Sequence, residues 1–326
     1  MASETQTLTY KVTDYKSEAH NDWCPGCGDF GILSALQHTL ADLQLDPWRV
    51  AVCSGIGCSS KTPHFVRTYG VHTLHGRSLP FAAGLKLANP SLEVIVVGGD
   101  GDGYGIGVGH FVHAGRRNVD LTYIVHNNEV YGLTKGQASP TLQQGLQPKS
   151  LPAPNVLQGV NPLAMALSAG YTFVARSYAF DAKHLRATLT AAIRHRGMAL
   201  VDVLQPCPTY NDLHDKEYFA ELVEIEGRKV PRVYHIEDEG YDGKVADPND
   251  EREVQFKLRA AFERVMRHEE RAALGVFFQV RRPTFDERLA RAIPALGAGG
   301  PAALRIADAS GRPTTDLSSL VREYLI

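Results

Sequence analysis

Five cysteines stand in this chain of 326 residues, and two of them, Cys24 and Cys27, lie two apart in NDWCPGCGDFGI. A C-x-x-C pair can be a redox dithiol, half of a zinc site or half of an iron–sulfur site. Cys58 in SGIGCSSK and Cys207 in QPCPTYN stand alone, 149 residues apart. Four thiolates are the number a [4Fe–4S] cluster takes, and proline follows both Cys24 and Cys207, as it follows the last cysteine of some iron–sulfur runs. Zinc bound by four cysteines is the main alternative, although such sites usually draw two close pairs. A thioredoxin-like dithiol would need neither distant cysteine. Cys53, inside the apolar run VAVC, reads as a small buried core residue.

A second constellation lies in VVGGDGDGYGIGVGHFVHAGRRNVDLTYIVHNNEVYGLTKGQ. One β-branched run enters Gly99-Asp100-Gly101 and the next enters Asn127-Asn128. Glycines let a backbone approach an anion and offer N–H donors to it. A carboxylate, an amide oxygen and a backbone carbonyl are hard ligands for Mg²⁺, which keeps waters and is completed by phosphates. The physical reading is a diphosphate carried on Mg²⁺. No start between Gly98 and Gly109 satisfies G-x-G-x-x-G, and no Gly-Lys-Ser/Thr closes a P-loop. A glycine-rich surface turn would explain Gly99 to Gly103 but not the paired asparagines. His110 and His113 share a helix face three apart and read as ordinary helix residues.

Strands and helices must position these groups. FGILSALQHTLADL places Phe30, Leu33, Leu36, Leu40 and Leu43 on one helical stripe, with Asp29 as its N-cap. WRVAVCSG, EVIVVGGDG, LTYIVHNN, YTFVARS and ALVDVLQPC read as short strands. The runs that are apolar throughout suit a parallel sheet covered on both faces. Asn161-Pro162 opens a helix that Gly170 ends, and another runs from about Asp181 to Gly197. The fold class predicted is α/β, a doubly wound, mostly parallel sheet, in which ligands sit at the carboxyl ends of strands. Cys58, Asp100, Asn127-Asn128 and Cys207 each follow such a strand, so one fold rule gathers them on one edge.

The character changes near Tyr218. EGRKVPRVYHIEDEGYDGKVADPNDERE is charged and rich in turn formers; a helix with Val254, Leu258, Ala261, Phe262 and Val265 on one face follows, and PALGAGGPAAL is a small-residue stretch. We divide the chain at 1–217, carrying both constellations, and 218–326, an extension packing on the core or on a partner. A net charge of −2 gives no reason to expect a nucleic-acid or membrane-surface partner. No apolar run approaches the length of a membrane span, and MASETQTLTYKVTDYKSEAH lacks the apolar core of a signal peptide. A cytoplasmic protein is expected, in which cysteines serve metals or catalysis rather than disulfides.

G-D-G followed by N-N resembles the thiamine-diphosphate enzyme motif. The finer text, WCPGCGDFGI, SGIGCSSK, HGRSLPFAAGLKLANP, GGDGDGYGIG, NNEVYGLTKGQ and QPCPTYN, is similar to the β subunit of 2-oxoacid:ferredoxin oxidoreductases over residues 20–215. The resemblance implies a thiamine-diphosphate-binding fold with a C-terminal extension. It makes Cys24, Cys27, Cys58 and Cys207 the ligands of a [4Fe–4S] cluster, and Asp100, Asn128 and the Val130 carbonyl the ligands of Mg²⁺. Ile56, Gly57, Cys58, Ser59, His75, Gly76, Arg77, Gly99, Gly101, Asp102 and Leu133 would border the cofactor, with Lys61 and Lys135 nearest the substrate. The activity implied is reversible, coenzyme A-dependent oxidative decarboxylation of a 2-oxoacid, 2-oxoglutarate ahead of pyruvate, with electrons passing to ferredoxin. No glutamate here sits in a motif that could activate the aminopyrimidine. That half of the site is expected on an α subunit, in an αβ or (αβ)2 complex. A non-oxidative thiamine-dependent decarboxylase and a zinc-stabilised non-catalytic subunit are the alternatives.

Overall fold

The computed structural model describes residues 9–267, 271–294, 300–314, 316 and 318–324. Part of the small-residue stretch PALGAGGPAAL, residues 295–299, lies outside them. The strands are β1 (Val50–Ser54), β2 (Tyr69–His72), β3 (Glu93–Gly99) and β4 (Leu121–Asn127), then a short hairpin, β5 (Val130–Tyr131) and β6 (Gln137–Ala138). β7 (Phe173–Tyr178) and β8 (Met198–Leu204) follow, then a second hairpin, β9 (Leu222–Ile225) and β10 (Arg228–Pro231), and finally β11 (Val233–His235) and β12 (Ala272–Gln279). Eight of them form one sheet in the order β11-β12-β7-β8-β4-β3-β1-β2. All its pairings are parallel except β12 against β7.

β1, β4 and nearly all of β3 and β8 are buried, because the sheet is covered on both sides. Successive residues therefore feed two cores. Ile95 and Val97 pack with Ile32, Leu36, Leu40, Leu185 and Leu189 of the Asp29–Asp42 and Ala182–Arg194 helices. Val94 and Val96 face the opposite core, with Phe111, Ala114 and Leu163 of the Val108–Arg117 and Pro162–Ala169 helices. Cys53 belongs to that second core and is fully buried.

Two expectations about the first helix are corrected. Its buried stripe is Ile32, Ala35, Leu36 and Leu40; Phe30 is 40% exposed and turns its ring edge-on to Trp23. Asp29 is the first helical residue rather than the N-cap, and its carboxylate is buried, accepting from His126 Nδ1 at 2.6 Å. Beyond residue 217 the chain adds β11 and β12 to the main sheet, and Val254 and Ala261 of the Glu251–Val265 helix join the second core. Among the described residues no helix is long and apolar enough to cross a membrane.

From β1 the chain moves to β2 on one side and then to β3 on the other. Connections diverging in this way open a crevice at the carboxyl ends of β1 and β3, where open α/β sheets bind ligands.

Candidate functional site

That crevice holds a cavity of about 180 Å³. Twelve of the residues expected at the cofactor line it: Ile56, Gly57, Cys58 and Ser59 after β1, His75 after β2, Gly99, Asp100, Gly101 and Asp102 at the end of β3, and Asn128, Val130 and Leu133 after β4. Tyr131, Gly132 and Thr134, which the motifs did not single out, complete the wall. Four expected residues lie outside it. Gly76 sits behind the wall, buried, and Arg77 pairs its Nη1 with His110 Nε2 at 2.6 Å. Lys61 Nζ is 2.7 Å from Asp22 Oδ2, and Lys135 is exposed in a left-handed backbone conformation beside Thr134.

Asp100 follows β3 and caps a π-helical turn, Gly101–Ile106, a local widening often found at functional sites. Its carboxylate is 2% exposed, and burial raises its pKa to about 6. Three donors converge on one oxygen, Oδ2: Glu129 N at 2.9 Å, Ser139 Oγ at 2.5 Å and Thr141 Oγ1 at 2.6 Å. The other oxygen receives none of them. Asn128 accepts from Val130 N through Oδ1 at 3.1 Å, and its Nδ2 donates to Gln205 Oε1 at 2.8 Å. An amide oxygen has two lone pairs, so one stays available. Asp100, Asn128 and the Val130 carbonyl thus meet the requirement for hard oxygen ligands at one wall of the cavity. Asp102, expected beside the diphosphate, is a tie between loops. Its Oδ1 accepts from Ile56 N, Gly76 N and His75 Nδ1 at 3.0, 2.8 and 2.9 Å.

The thiols gather on the same edge. Cys27 N donates to Cys24 O and Gly28 N to Pro206 O, which fastens the C-x-x-C loop to the segment carrying Cys207. Trp23 Nε1 donates to Cys58 O at 2.7 Å. A Cβ at Gly132 would lie 3.5 Å from Cys58 Sγ and 3.9 Å from Cys207 Sγ, so both sulfurs face the space that this glycine leaves open. Burial pushes Cys58 up to about 11, with Asp29 and the neighbouring thiols of Cys207 and Cys24 adding to it. Cys27 is raised much further by burial, and Cys207 is raised by burial against three backbone N–H donors. Thiols so placed ionise readily only when a metal takes the charge. Among the described residues no three or more His, Cys, Asp or Glu side chains converge to hold a single ion. In an iron–sulfur cluster each thiolate holds its own iron, so convergence on one point is not required.

Ser139, Thr141 and Gln205 are further polar residues that motif reading missed. Ser139 and Thr141 carry no spacing signature; the only cue for Gln205 is its place beside Pro206-Cys207.

The sheet and its crevice define an open α/β protein with a ligand site at the carboxyl ends of its strands. Residues 55–203 match the family model described as "Thiamine pyrophosphate enzyme, C-terminal TPP binding domain", and residues 207–292 match the model of the C-terminal part of the pyruvate ferredoxin oxidoreductase β chain. The chain is 54% identical to a 2-oxoacid:ferredoxin oxidoreductase subunit beta of Saccharolobus solfataricus, over 93% of this chain and 96% of that one. It is 37% identical to the 2-oxoglutarate oxidoreductase subunit KorB of Mycobacterium tuberculosis, over 85% and 80% of the two chains. A solved 2-oxoglutarate:ferredoxin oxidoreductase from Magnetococcus marinus, with 2-oxoglutarate, coenzyme A and succinyl-CoA bound, superposes with a TM-score of 0.80 at 35% identity, over 99% and 98% of the chains. The chain belongs to the β-subunit family of 2-oxoacid:ferredoxin oxidoreductases.

Proposed function

We propose that this β subunit, with an α subunit, carries out reversible, coenzyme A-dependent oxidative decarboxylation of a 2-oxoacid and passes electrons one at a time through a [4Fe–4S] cluster to ferredoxin. One observation carries the reading: Cys58 lines the cavity at the strand ends and also faces Cys207 across Gly132. A cluster held by Cys24, Cys27, Cys58 and Cys207 would therefore adjoin the cofactor. Bound thiamine diphosphate supplies a nucleophilic carbon and an electron sink for the carbon left by loss of CO₂. Asp100, Asn128 and the Val130 carbonyl would hold Mg²⁺, and the Gly99–Gly101 backbone would offer its N–H groups to the diphosphate. The αβ complex, given a 2-oxoacid, coenzyme A and oxidised ferredoxin, is expected to reduce ferredoxin only when all three are present. Release of CO₂ without an electron acceptor would indicate a non-oxidative decarboxylase instead.

Ser139 and Thr141 act through Asp100. The Thr141 hydroxyl has one proton and three oxygens in reach, Asp100 Oδ2 at 2.6 Å, Asn127 Oδ1 at 2.9 Å and Ser139 Oγ at 3.1 Å, and the carboxylate is the strongest acceptor. Combining Ser139→Ala with Thr141→Val is expected to raise the Mg²⁺ concentration needed to retain thiamine diphosphate by about 10–100-fold, the usual cost of losing outer-shell partners. Equilibrium dialysis of the complex measures this, and Thr141→Ser alone is expected to stay near wild type.

Lys61 ends the 3₁₀ turn Ser59–Lys61 that follows Cys58, and its Nζ, 2.7 Å from Asp22 Oδ2, would have to leave that carboxylate to meet a substrate. Its ammonium gives 2-oxoglutarate a partner for the distal carboxylate, which pyruvate lacks. Lys61→Ala is expected to lower kcat/KM for 2-oxoglutarate about 10–100-fold more than for pyruvate or a branched-chain oxoacid, the range of a charged hydrogen bond. Equal losses on all three substrates would remove Lys61 from this selection.

A further inference from the structure

Gln205 touches both halves of the site. It is 2% exposed, directly after β8 and two residues before Cys207. Its Nε2 lies 2.7 Å from the Pro206 carbonyl and 3.3 Å from Cys27 Sγ, and its Oε1 is 2.8 Å from Asn128 Nδ2. The orientation of this amide is set by chemistry. A carbonyl only accepts, so the group facing Pro206 O must be the NH₂, which leaves Oε1 toward Asn128. Asn128 must then present its own NH₂ to Gln205, which turns Oδ1 away toward Val130 N. One carbonyl thus determines the orientation of two amides.

We infer that Gln205 is a positioning residue joining the two cofactor sites: it aims the amide oxygen of Asn128 at Mg²⁺ and places a hydrogen bond on the sulfur of Cys27. Gly28 makes the approach possible. A Cβ there would lie 2.9 Å from Gln205 Cγ and 3.1 Å from the Ala179 side chain, so a larger residue would displace Gln205 from the thiol. This explains the glycine after Cys27 in C-P-G-C-G on packing grounds. The backbone reinforces the link, because Gln205 N donates to Asn127 O at 2.8 Å.

The inference rests on the proposed cofactors and makes two separable predictions. A donor on a cluster sulfur stabilises the more negative, reduced state, and such bonds tune cluster potentials. An outer-shell amide that aligns a ligand supports metal affinity. In the αβ complex, Gln205→Leu removes both contacts at similar volume. The midpoint potential from a redox titration followed by electron paramagnetic resonance is expected to become more negative. The MgCl₂ concentration at half-maximal thiamine diphosphate binding is expected to rise about 10–100-fold. Gln205→Glu keeps an acceptor toward Asn128 and loses the donor toward Cys27, so its potential falls while its Mg²⁺ requirement stays near wild type. Wild-type values of both quantities in an iron-replete Leu variant would overturn the inference, as would an unchanged potential in the Glu variant. A wild-type complex without iron, or one binding thiamine diphosphate independently of Mg²⁺, would overturn the cofactor assignment instead.

Discussion

Cys207→Ser, in the αβ complex purified anaerobically, is expected to lower iron from about four atoms per β chain to near zero and to abolish ferredoxin reduction. A serine oxygen is a harder and far less acidic donor than a thiol and is a poor substitute in a thiolate-ligated cluster. Cys58→Ser is expected to do the same and also to disturb the cavity wall, since Cys58 lines it. Cys53→Ser is the control. Cys53 is fully buried in the core and its thiol is pushed up to about 12 by burial alone. That variant is expected to keep its iron and lose only stability, by about 1–3 kcal/mol for a buried hydroxyl lacking a partner. Iron lost from Cys53→Ser and kept in Cys207→Ser would reverse the ligand assignment.

Asp100→Ala is the second large effect. Asp100 is the only charged ligand among the three groups assigned to Mg²⁺, and it also organises Glu129 N, Ser139 and Thr141 around one oxygen. Removing it takes away the charge that attracts the cation and leaves three donors without their acceptor. Mg²⁺-dependent retention of thiamine diphosphate is expected to fall by more than about 100-fold, beyond the range for outer-shell residues. Gel filtration of the complex with MgCl₂, followed by assay of bound thiamine diphosphate, measures it. Retention equal to wild type would place the metal elsewhere.

The inner strands β1, β3, β4, β7 and β8 were legible in the sequence because they are buried on both faces and read as apolar runs, whereas the exposed edge strand β2 was not. Placing Cys58, Asp100, Asn128 and Cys207 on one edge needed only the rule that ligands collect at carboxyl ends. Charge obscured the later part of the chain: β11 and β12 belong to the same sheet, yet β11 lies inside the charged, turn-rich stretch and β12 beyond the helix that follows it. Phe30 misled because its spacing fits the helical stripe, while its ring packs on Trp23 outside the core. Asp102 lines the cavity as its place in the glycine-rich motif suggests, but its second role, tying the loops after β1 and β2 to the end of β3, is not visible in motif position. Ser139, Thr141 and Gln205 matter through contacts with residues 39, 41 and 77 positions away, and no local spacing encodes such pairings.

The most direct test of the account is the joint content of iron, zinc and thiamine diphosphate in the anaerobically purified αβ complex. About four irons per β chain together with bound thiamine diphosphate is the predicted result; stoichiometric zinc without iron would contradict it.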